Sequence, residues 1–322
     1  MRRLVAAAVG LTLLVLLWWK AEPRAIADAL GTVDRGWFLA ALLMVVPLTL
    51  ASALRLCALA RGRIGLAAAV RLLLSASSLN LVLPSKMGDL AKALVLRGRH
   101  GMEGGRAVAL VVFEKLLDLM ALLLAGALLL ALAVPPVPGL ALWVAGTAAA
   151  GLALLLLALP GGPAAAVLAA AVPRLPGGLG RRLESLALGW GDLLAWVWGR
   201  PGLALGILAG SLLLWAAHLL QLWMFARAIA ADIPAAPAMG LAALAVLAGL
   251  LPFTFAGIGT RDAALVVLFA PWLAPAEGAV LGLFATLRYV LPALFGLPFV
   301  GDYWAGLRAA PRDAREGSLP PG

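Results

Sequence analysis

The chain has 322 residues, of which 64% are hydrophobic and only 12% are charged, and its mean hydropathy is +1.05. A soluble domain is about 45–50% apolar and about 25% charged, so this composition excludes a soluble enzyme and a disordered chain. The net charge of +10 does not indicate a nucleic-acid partner, because excess Lys and Arg in membrane proteins concentrate in cytoplasmic loops and contact anionic lipid. The single cysteine, Cys57, excludes internal disulfides and a CxxC metal site.

Six apolar runs predict transmembrane helices, for which about 20 residues are needed. The first run follows two arginines and resembles a signal peptide. However, Trp18, Trp19 and Lys20 replace the small residues of a cleavage site, so we predict an uncleaved span. The six predicted spans cover residues 4–19, 37–54, 107–133, 140–159, 203–225 and 276–300.

Basic segments predict the orientation of the chain. Arginines concentrate at residues 55–71, 97–106 and 160–200 and in the C-terminal tail, and the positive-inside rule places such segments in the cytoplasm. Both termini are therefore predicted to be cytoplasmic, in a multi-pass protein of the cell (inner) membrane. We expect one transmembrane domain over residues 1–302 and a disordered cytoplasmic tail over residues 303–322.

Two further apolar stretches are interrupted. Residues 72–97 break at Pro84 and residues 241–272 break at Pro252, and each break is followed by glycines, an acid and a second apolar segment. We predict two re-entrant broken-helix hairpins, the first entering from the cytoplasm and the second from outside. Paired interrupted helices are typical of inverted-repeat transporters with a binding site at the midplane. Eight ordinary spans would place the loops on the same sides, and that alternative stays open.

The basic loop at 160–200 contains an amphipathic segment, 181–198. A helix of this kind lies on the membrane surface rather than crossing it, so we predict an interfacial helix here. Its apolar positions recur at helical spacing opposite polar ones: Leu183, Leu186, Trp190, Leu193 and Val197, against Arg182, Ser185 and Asp192.

Four charges fall within predicted spans and away from the span ends: Glu114, Lys115 and Asp118 in one, and Arg288 in another. Each costs about 2.5–3.5 kcal/mol at the bilayer centre. Glu114 and Asp118 share one helix face, and Lys115 can pair with Asp118. The charges could clamp helices together, with Arg288 included, or line a polar pocket or proton relay. We favour the second interpretation, because pairing alone does not account for three charges so close together.

The two breaks carry further candidates. Gly88 and Asp89 follow the first, and Gly259 and Asp262 follow the second, where a carboxylate suits a helix N-terminus. Ser85 and Thr260 are predicted N-caps in a purely structural interpretation.

A functional interpretation of the breaks stays open beside the structural one. Exposed backbone N–H groups at the glycine turns, including Gly257, could bind a lipid phosphate. Lys86 and Arg261 would ligate the phosphate or neutralise the neighbouring acids. We expect Asn80 to satisfy freed backbone groups rather than contact a headgroup.

Other polar residues in the spans carry less information. We expect His218 and Gln221 to hydrogen-bond to neighbouring helices and Tyr289 to pack beside Arg288. The sequence has no GxSxG motif, nucleotide-binding loop, HExxH motif or dinucleotide fingerprint, and we predict neither a metal site nor a cofactor.

Three segments together carry a family pattern: NLVLP with GD at 80–89, FEKLLD at 113–118, and P with GIGTRD at 252–262. They resemble the lysylphosphatidylglycerol synthase transmembrane-region family, the flippase-like domain of the multiple peptide resistance factor proteins, over residues 4–302. That family has Pro-Gly-x-x-Gly-Glu, Glu-Arg-x-x-Asp and Gly-x-Gly-x-Arg-Glu at these places. In this sequence Ser85 replaces a glycine, Asp89 and Asp262 replace glutamates, and Lys115 replaces an arginine. The charges are therefore kept, but the two carboxylate side chains are shorter.

The resemblance implies a lipid flippase or transporter that moves an (amino)phospholipid or lipid-linked headgroup between leaflets. Full-length relatives add a soluble aminoacyl-transferase domain after the membrane region. This sequence ends about twenty residues after its last predicted span, so we expect no enzymatic activity. Lys86, Arg261 and the breaks would hold the phosphate, and Glu114, Asp118 and Arg288 would line the path.

Two alternatives to a transporter remain. The chain could be a membrane subunit of an enzyme that modifies phospholipids or polyprenyl-linked sugars, or a scaffold for such an enzyme. The expected partners are a membrane phospholipid or lipid-linked substrate and either a second copy of the chain or an envelope enzyme. Without a nucleotide site, transport would be driven by a gradient or by mass action.

Overall fold

A computed structural model of the chain describes residues 22–82, 87–132, 139–174, 177–230, 232–250 and 258–301. These residues form helices and connecting turns without β-strands, which confirms the predicted all-α membrane fold. The α-helices in chain order are α1 (Pro23–Gly31), α2 (Arg35–Leu43), α3 (Val45–Leu59), α4 (Leu66–Val82), α5 (Met87–His100), α6 (Gly104–Ala131), α7 (Leu140–Leu157), α8 (Pro163–Ala171), α9 (Gly177–Trp198), α10 (Pro201–Ile229), α11 (Ala235–Gly249), α12 (Thr260–Leu268) and α13 (Pro275–Gly296).

The predicted spans that fall in the described part of the chain are all helical. Among the described residues, three helical stretches are long and apolar enough to cross a membrane: Arg35–Leu59, Pro201–Ile229 and Pro275–Phe299. Helix α6 has 28 residues, or about 42 Å at 1.5 Å per residue, so it is also long enough although it carries charges. The predicted span 4–19 and the predicted tail 303–322 lie outside the described residues.

Many large apolar side chains are exposed on the surface, while several charged side chains are buried inside. Leu142, Leu213 and Val267 are 78%, 70% and 71% exposed, whereas Lys92 is fully buried and Asp262 is only 3% exposed. In water this distribution would be unstable, but in a bilayer the exposed leucines and valines contact hydrocarbon. The distribution of polarity therefore supports a membrane environment for the helical bundle.

The predicted span at residues 37–54 is interrupted. Helices α2 and α3 meet at Met44, and α3 then continues to Leu59. Pro47 accounts for the interruption, because proline lacks the N–H that would bond the carbonyl of Leu43. The continuation corrects one prediction: Arg55, assigned to a cytoplasmic loop, lies inside α3 and is buried.

The two predicted hairpins correspond to two pairs of short helices. Helix α4 packs against α5, and α11 packs against α12. The four helices have 17, 14, 15 and 9 residues, each short of the roughly 20 residues that span a bilayer. These lengths fit the hairpin prediction. The breaks at 83–86 and 251–257, with Pro84 and Pro252, lie outside the described residues.

The first hairpin with α6 and the second hairpin with α13 form two halves of the bundle, and each half packs against the other in a reciprocal way. Helix α6, which follows the first hairpin, packs against α11 of the second hairpin, and α13 packs against α4 of the first. Each interface depends on a glycine: Gly240 lies against Leu130, and Gly296 lies against Leu74 and Ser78. Small residues allow such close helix contact within a membrane. This exchange is the arrangement expected of an internal repeat.

The predicted amphipathic segment is helical and belongs to α9. Its apolar side packs against α6, with Trp190, Leu193 and Val197 buried. On the other side of the helix, Asp192 forms an ion pair with Arg61, with 2.9 Å between Oδ1 and Nη2. Part of the apolar face therefore contacts protein. Its position at the membrane surface stays a prediction.

Replacing Gly240 by alanine should destabilise the bundle by about 1–3 kcal/mol, as overpacking of a close interface does. An added Cβ would lie 2.9 Å from the backbone N and side chain of Leu130. Thermal unfolding of the detergent-purified protein measures the effect. The matched control is Gly210→Ala on α10, where no atom lies within 4 Å of the added Cβ. Equal melting temperatures for the two variants would contradict the close α6–α11 interface.

Candidate functional site

A cavity of about 230 Å³ lies where α3, α4, α5, α6, α10 and α13 converge. At about 30 Å³ per water molecule, it has room for a small polar group and several waters. Both halves of the bundle contribute to it. Six of the twelve predicted site residues line it: Asn80, Asp89, Glu114, Lys115, Asp118 and Arg288.

The deepest ion pair of the cavity joins α5 to α6. Lys92 Nζ lies 2.7 Å from Glu114 Oε2 and 3.6 Å from Asp89 Oδ1. Lys92 is fully buried and Glu114 is 3% exposed. Burying either ion alone would cost several kcal/mol of desolvation free energy, and the close pairing offsets that cost.

A second group of ion pairs centres on Asp118. Arg55 Nη2 on α3 lies 2.5 Å from Asp118 Oδ1, and the indole Nε1 of Trp215 on α10 donates to the same oxygen at 3.3 Å. Arg55 Nη1 also donates to Ser211 Oγ on α10 at 3.1 Å. Helices α3, α6 and α10 are thus joined at one carboxylate.

Lys115 connects the two groups. Its Nζ lies 2.9 Å from Asp89 Oδ2 and 3.4 Å from Asp118 Oδ2. The predicted pairing of Lys115 with Asp118 is therefore present. The Lys115 side chain is 40% exposed and the Asp118 side chain 19% exposed, unlike the Lys92–Glu114 pair. Lys115 and Asp118 are consequently the charges most accessible from the cavity.

We call these six residues the charge network: Arg55, Asp89, Lys92, Glu114, Lys115 and Asp118. Its three cations and three carboxylates are mutually paired, so the network is neutral overall. Its members lie on three helices, α3, α5 and α6, and hydrogen bonds to Ser211 and Trp215 connect it to α10. Because the network joins helices and also lines the cavity, the structure is compatible with both interpretations of the intramembrane charges.

Two members of the network, Arg55 and Lys92, were absent from the sequence-based candidates. Lys92 follows Asp89 by three residues on a helix, a spacing that brings side chains together and could have identified it. Arg55 is followed by the apolar run of residues 56–60, which indicates that the helix continues beyond the arginine.

A hydrogen bond connects the two helices of the first hairpin. The backbone N of Asp89, in the first turn of α5, donates to Asn80 Oδ1 on α4 at 3.3 Å. Asn80 therefore satisfies a freed backbone group, as predicted. The close contact between α4 and α5 requires glycine at position 88, because a Cβ there would lie 2.5 Å from the carbonyl oxygen of Ala76 and 2.7 Å from Asn80 Oδ1. Lys86 lies outside the described residues.

The described residues that follow the second break have a different arrangement, and Gly259, Arg261 and Asp262 do not line this cavity. The carboxylate of Asp262 accepts from the backbone N of Gly259 at 3.0 Å, so Gly259 is the N-cap of α12. The prediction that Thr260 is the N-cap was wrong; Thr260 is the first helical residue. Gly259 adopts φ = 99°, which a residue with a side chain rarely does. Gly257 lies outside the described residues.

Arg261 forms its ion pair and hydrogen bond with residues of α12 and α13. Its Nη2 lies 2.6 Å from Asp262 Oδ1 and donates to Thr286 Oγ1 on α13 at 2.6 Å. Arg261 is 2% exposed. In this structure the side chain neutralises the neighbouring acid, which is one of the two roles considered for it.

Arg288 lines the cavity from α13 and is 6% exposed. Its guanidinium donates to the carbonyl oxygen of His218 and to the hydroxyl of Tyr289, each at 3.2 Å. Gln221, on the same face of α10 as His218, donates to Ala41 O at 2.8 Å, which confirms the expected hydrogen bond between helices. Arg288 forms no ion pair with the charge network, so it is not part of a clamp with Glu114.

Removing one partner of the Lys92–Glu114 pair should cost about 3–5 kcal/mol, since the other charge is left buried and unpaired. We expect Lys92→Met to lower the free energy of unfolding by that amount, and Lys92→Met/Glu114→Gln to recover part of it. Thermal and denaturant unfolding in detergent provide the measurements. Arg63→Met, at an exposed position, is the control and should change stability by less than about 0.5 kcal/mol. Additive effects of the two substitutions would contradict the pairing.

The sequence and geometry agree with a known family. The family model described as lysylphosphatidylglycerol synthase TM region matches residues 3–296. This stretch includes both interrupted helix pairs and every residue that lines the cavity. A comparison with curated proteins finds no match. Because the match extends over most of the 322 residues, the chain belongs to the lysylphosphatidylglycerol synthase transmembrane region family.

Proposed function

We propose that this protein moves a phospholipid or lipid-linked molecule between the leaflets of the cell membrane, with the headgroup passing through the cavity. The observation that carries the proposal is the polar cavity between the two halves, lined by the charge network and enclosed by an apolar bundle. Membership of a membrane family named for a lipid product supports the same conclusion.

The charge network suits this task because it is paired before any lipid binds. A headgroup that leaves water needs hydrogen-bond donors and acceptors at bilayer depth, where an unsatisfied polar group costs several kcal/mol. Lys115 and Asp118 offer both kinds of group at the cavity wall, and the helices hold them in place. The acyl chains would stay along the apolar exterior, so only the headgroup would have to cross inside the protein.

The two interrupted helix pairs supply the means of movement. Each half packs its long helix on the first hairpin helix of the other half, so a shift of one half changes both sides of the cavity together. Repeats that rock around a fixed central site are the usual basis of alternating access in transporters. With no nucleotide-binding motif in the sequence, we infer that transport follows a gradient or mass action.

Asp118→Asn should slow transport at least tenfold, because it removes the carboxylate that orients Arg55 and Lys115 at the cavity wall. The assay uses purified protein in vesicles that contain acyl-labelled fluorescent phospholipid. Dithionite added outside bleaches only the outer leaflet, and the slow phase of bleaching reports movement between leaflets.

Asp192→Asn is the matched control for that assay. Asp192 pairs with Arg61 and Arg106 on a different surface of the bundle, away from the cavity. Its substitution should leave transport within about twofold of wild type. Equal rates for wild type, Asp118→Asn and protein-free vesicles would overturn the proposal. Turnover of a labelled aminoacyl or sugar donor by the purified protein would favour the alternative of an enzyme subunit.

We also propose that the protein resides in the inner membrane with both termini in the cytoplasm. Exposed Arg63, just after the C-terminal end of α3, and exposed Arg181 and Arg182 near the start of α9 support this orientation, because positively charged segments remain inside. The turn before α11, which includes exposed Asp232, would then lie outside.

Cysteine labelling tests the orientation. In a Cys57→Ala background, a membrane-impermeant maleimide should label Asp232→Cys in intact cells or spheroplasts. Arg63→Cys and Arg182→Cys should react only after the membrane is permeabilised. The reverse pattern of labelling would show that the orientation is opposite.

A further inference from the structure

Arg288 differs from every other cation of the cavity. Arg55, Lys92 and Lys115 each have a carboxylate within 3 Å. Arg288 instead donates to a backbone carbonyl and to a phenol, and it lies over the Tyr289 ring at 4.8 Å. These acceptors are neutral. An arginine keeps its charge in proteins, so the guanidinium remains a buried cation.

No counter-charge for Arg288 is found among the residues that the structure describes. Twelve of the fifteen acidic residues lie in that part of the chain, and none is within 4 Å of the guanidinium. The remaining three are Asp302, Asp313 and Glu316 near the C-terminus. The undescribed segments 83–86 and 251–257 contain no acid. Among the described residues, four cations and three carboxylates line the cavity, which leaves one net positive charge on this lining.

The carboxylates of the cavity are already occupied. Asp89 contacts Lys92 and Lys115, and Glu114 contacts Lys92. Asp118 contacts Arg55 and Lys115 and accepts from Trp215. An ammonium group that entered the cavity would have to compete with these cations for the carboxylate oxygens. An anion meets no such competition at Arg288.

We propose that Arg288 makes the cavity selective for lipids whose headgroup has a net negative charge, namely phosphodiesters without a compensating ammonium. This inference rests on the proposed transport function. A guanidinium matches the geometry of two phosphate oxygens and forms strong, charge-assisted hydrogen bonds with them. The sequence suggested Arg261 for this role, but Arg261 pairs with Asp262 and donates to Thr286. We therefore assign phosphate binding to Arg288 on α13.

Three lipids with identical labelled acyl chains test the selectivity in phosphatidylcholine vesicles. Phosphatidylglycerol has a net charge of −1 and phosphatidylcholine is zwitterionic. O-ethyl phosphatidylcholine is cationic, because the added ethyl ester removes the negative charge of the phosphate and leaves the choline ammonium. We expect wild-type protein to move phosphatidylglycerol roughly tenfold faster than phosphatidylcholine, and the cationic lipid most slowly. The order should persist at 0.5 M salt, because a buried interaction is screened less than the basic surface.

Substitutions assign the preference to one residue. Arg288→Gln should bring the three rates within about threefold of one another, whereas Arg288→Lys should keep the order because it keeps the charge. Arg227→Gln is the matched control: Arg227 lies on α10 over the rings of Trp37 and Trp223 and does not line the cavity. That variant should retain the wild-type order.

The outcomes separate this inference from the proposed function. Equal rates for the three lipids in wild type, or a faster cationic lipid, would overturn the selectivity while transport itself stands. A preference that disappears at 0.5 M salt or survives in Arg288→Gln would overturn the assignment to Arg288. If none of the lipids moves, the transport function fails as well. If Arg288→Gln does not fold, the rank order in wild type and in Arg288→Lys still decides.

Discussion

The ion pair between Lys92 and Glu114 is the interaction on which the interior of this protein depends. An ammonium with no exposed surface can exist there only beside a carboxylate, and 2.7 Å separates the two groups. The pair requires α5 to begin inside the bundle and to contact α6 at bilayer depth. An interrupted helix meets that requirement, because it brings the start of α5 into the interior.

The two halves share a framework but distribute charge differently. Both begin a helix inside the bundle, and both satisfy an N-terminal backbone donor with a side chain. Asn80 does so from the preceding helix of its hairpin, and Asp262 does so within its own helix. Helix α6 then contributes three charges to the cavity, whereas α13 contributes only Arg288. The cavity is consequently asymmetric: one wall is a neutral network and the other is a single cation held by neutral acceptors.

The sequence was sufficient for the helical class, for the family and for the predicted spans that lie in the described residues, because apolar run length and motif spacing are local properties. It also identified Glu114, Lys115 and Asp118 as unusual, since a charge within an apolar run is visible without a structure. The interruption at Met44 was missed, although Pro47 nearby indicates one. Arg55 was assigned to a loop because the boundary of the span was set at the first charge, before the apolar run had ended.

Composition and periodicity by themselves determined that this chain is a helical membrane protein with charges at bilayer depth, because the bilayer imposes its length and polarity on each helix separately. Only the tertiary structure decided which charges are neutralised. Arg55 and Asp118 are 63 positions apart, and nothing between them predicts their contact. Arg261 and Arg288 are both buried arginines, yet Arg261 binds a carboxylate, whereas Arg288 binds none among the described residues. Pairing is set by distances between helices, and electrostatic energy in a medium of low dielectric depends steeply on those distances.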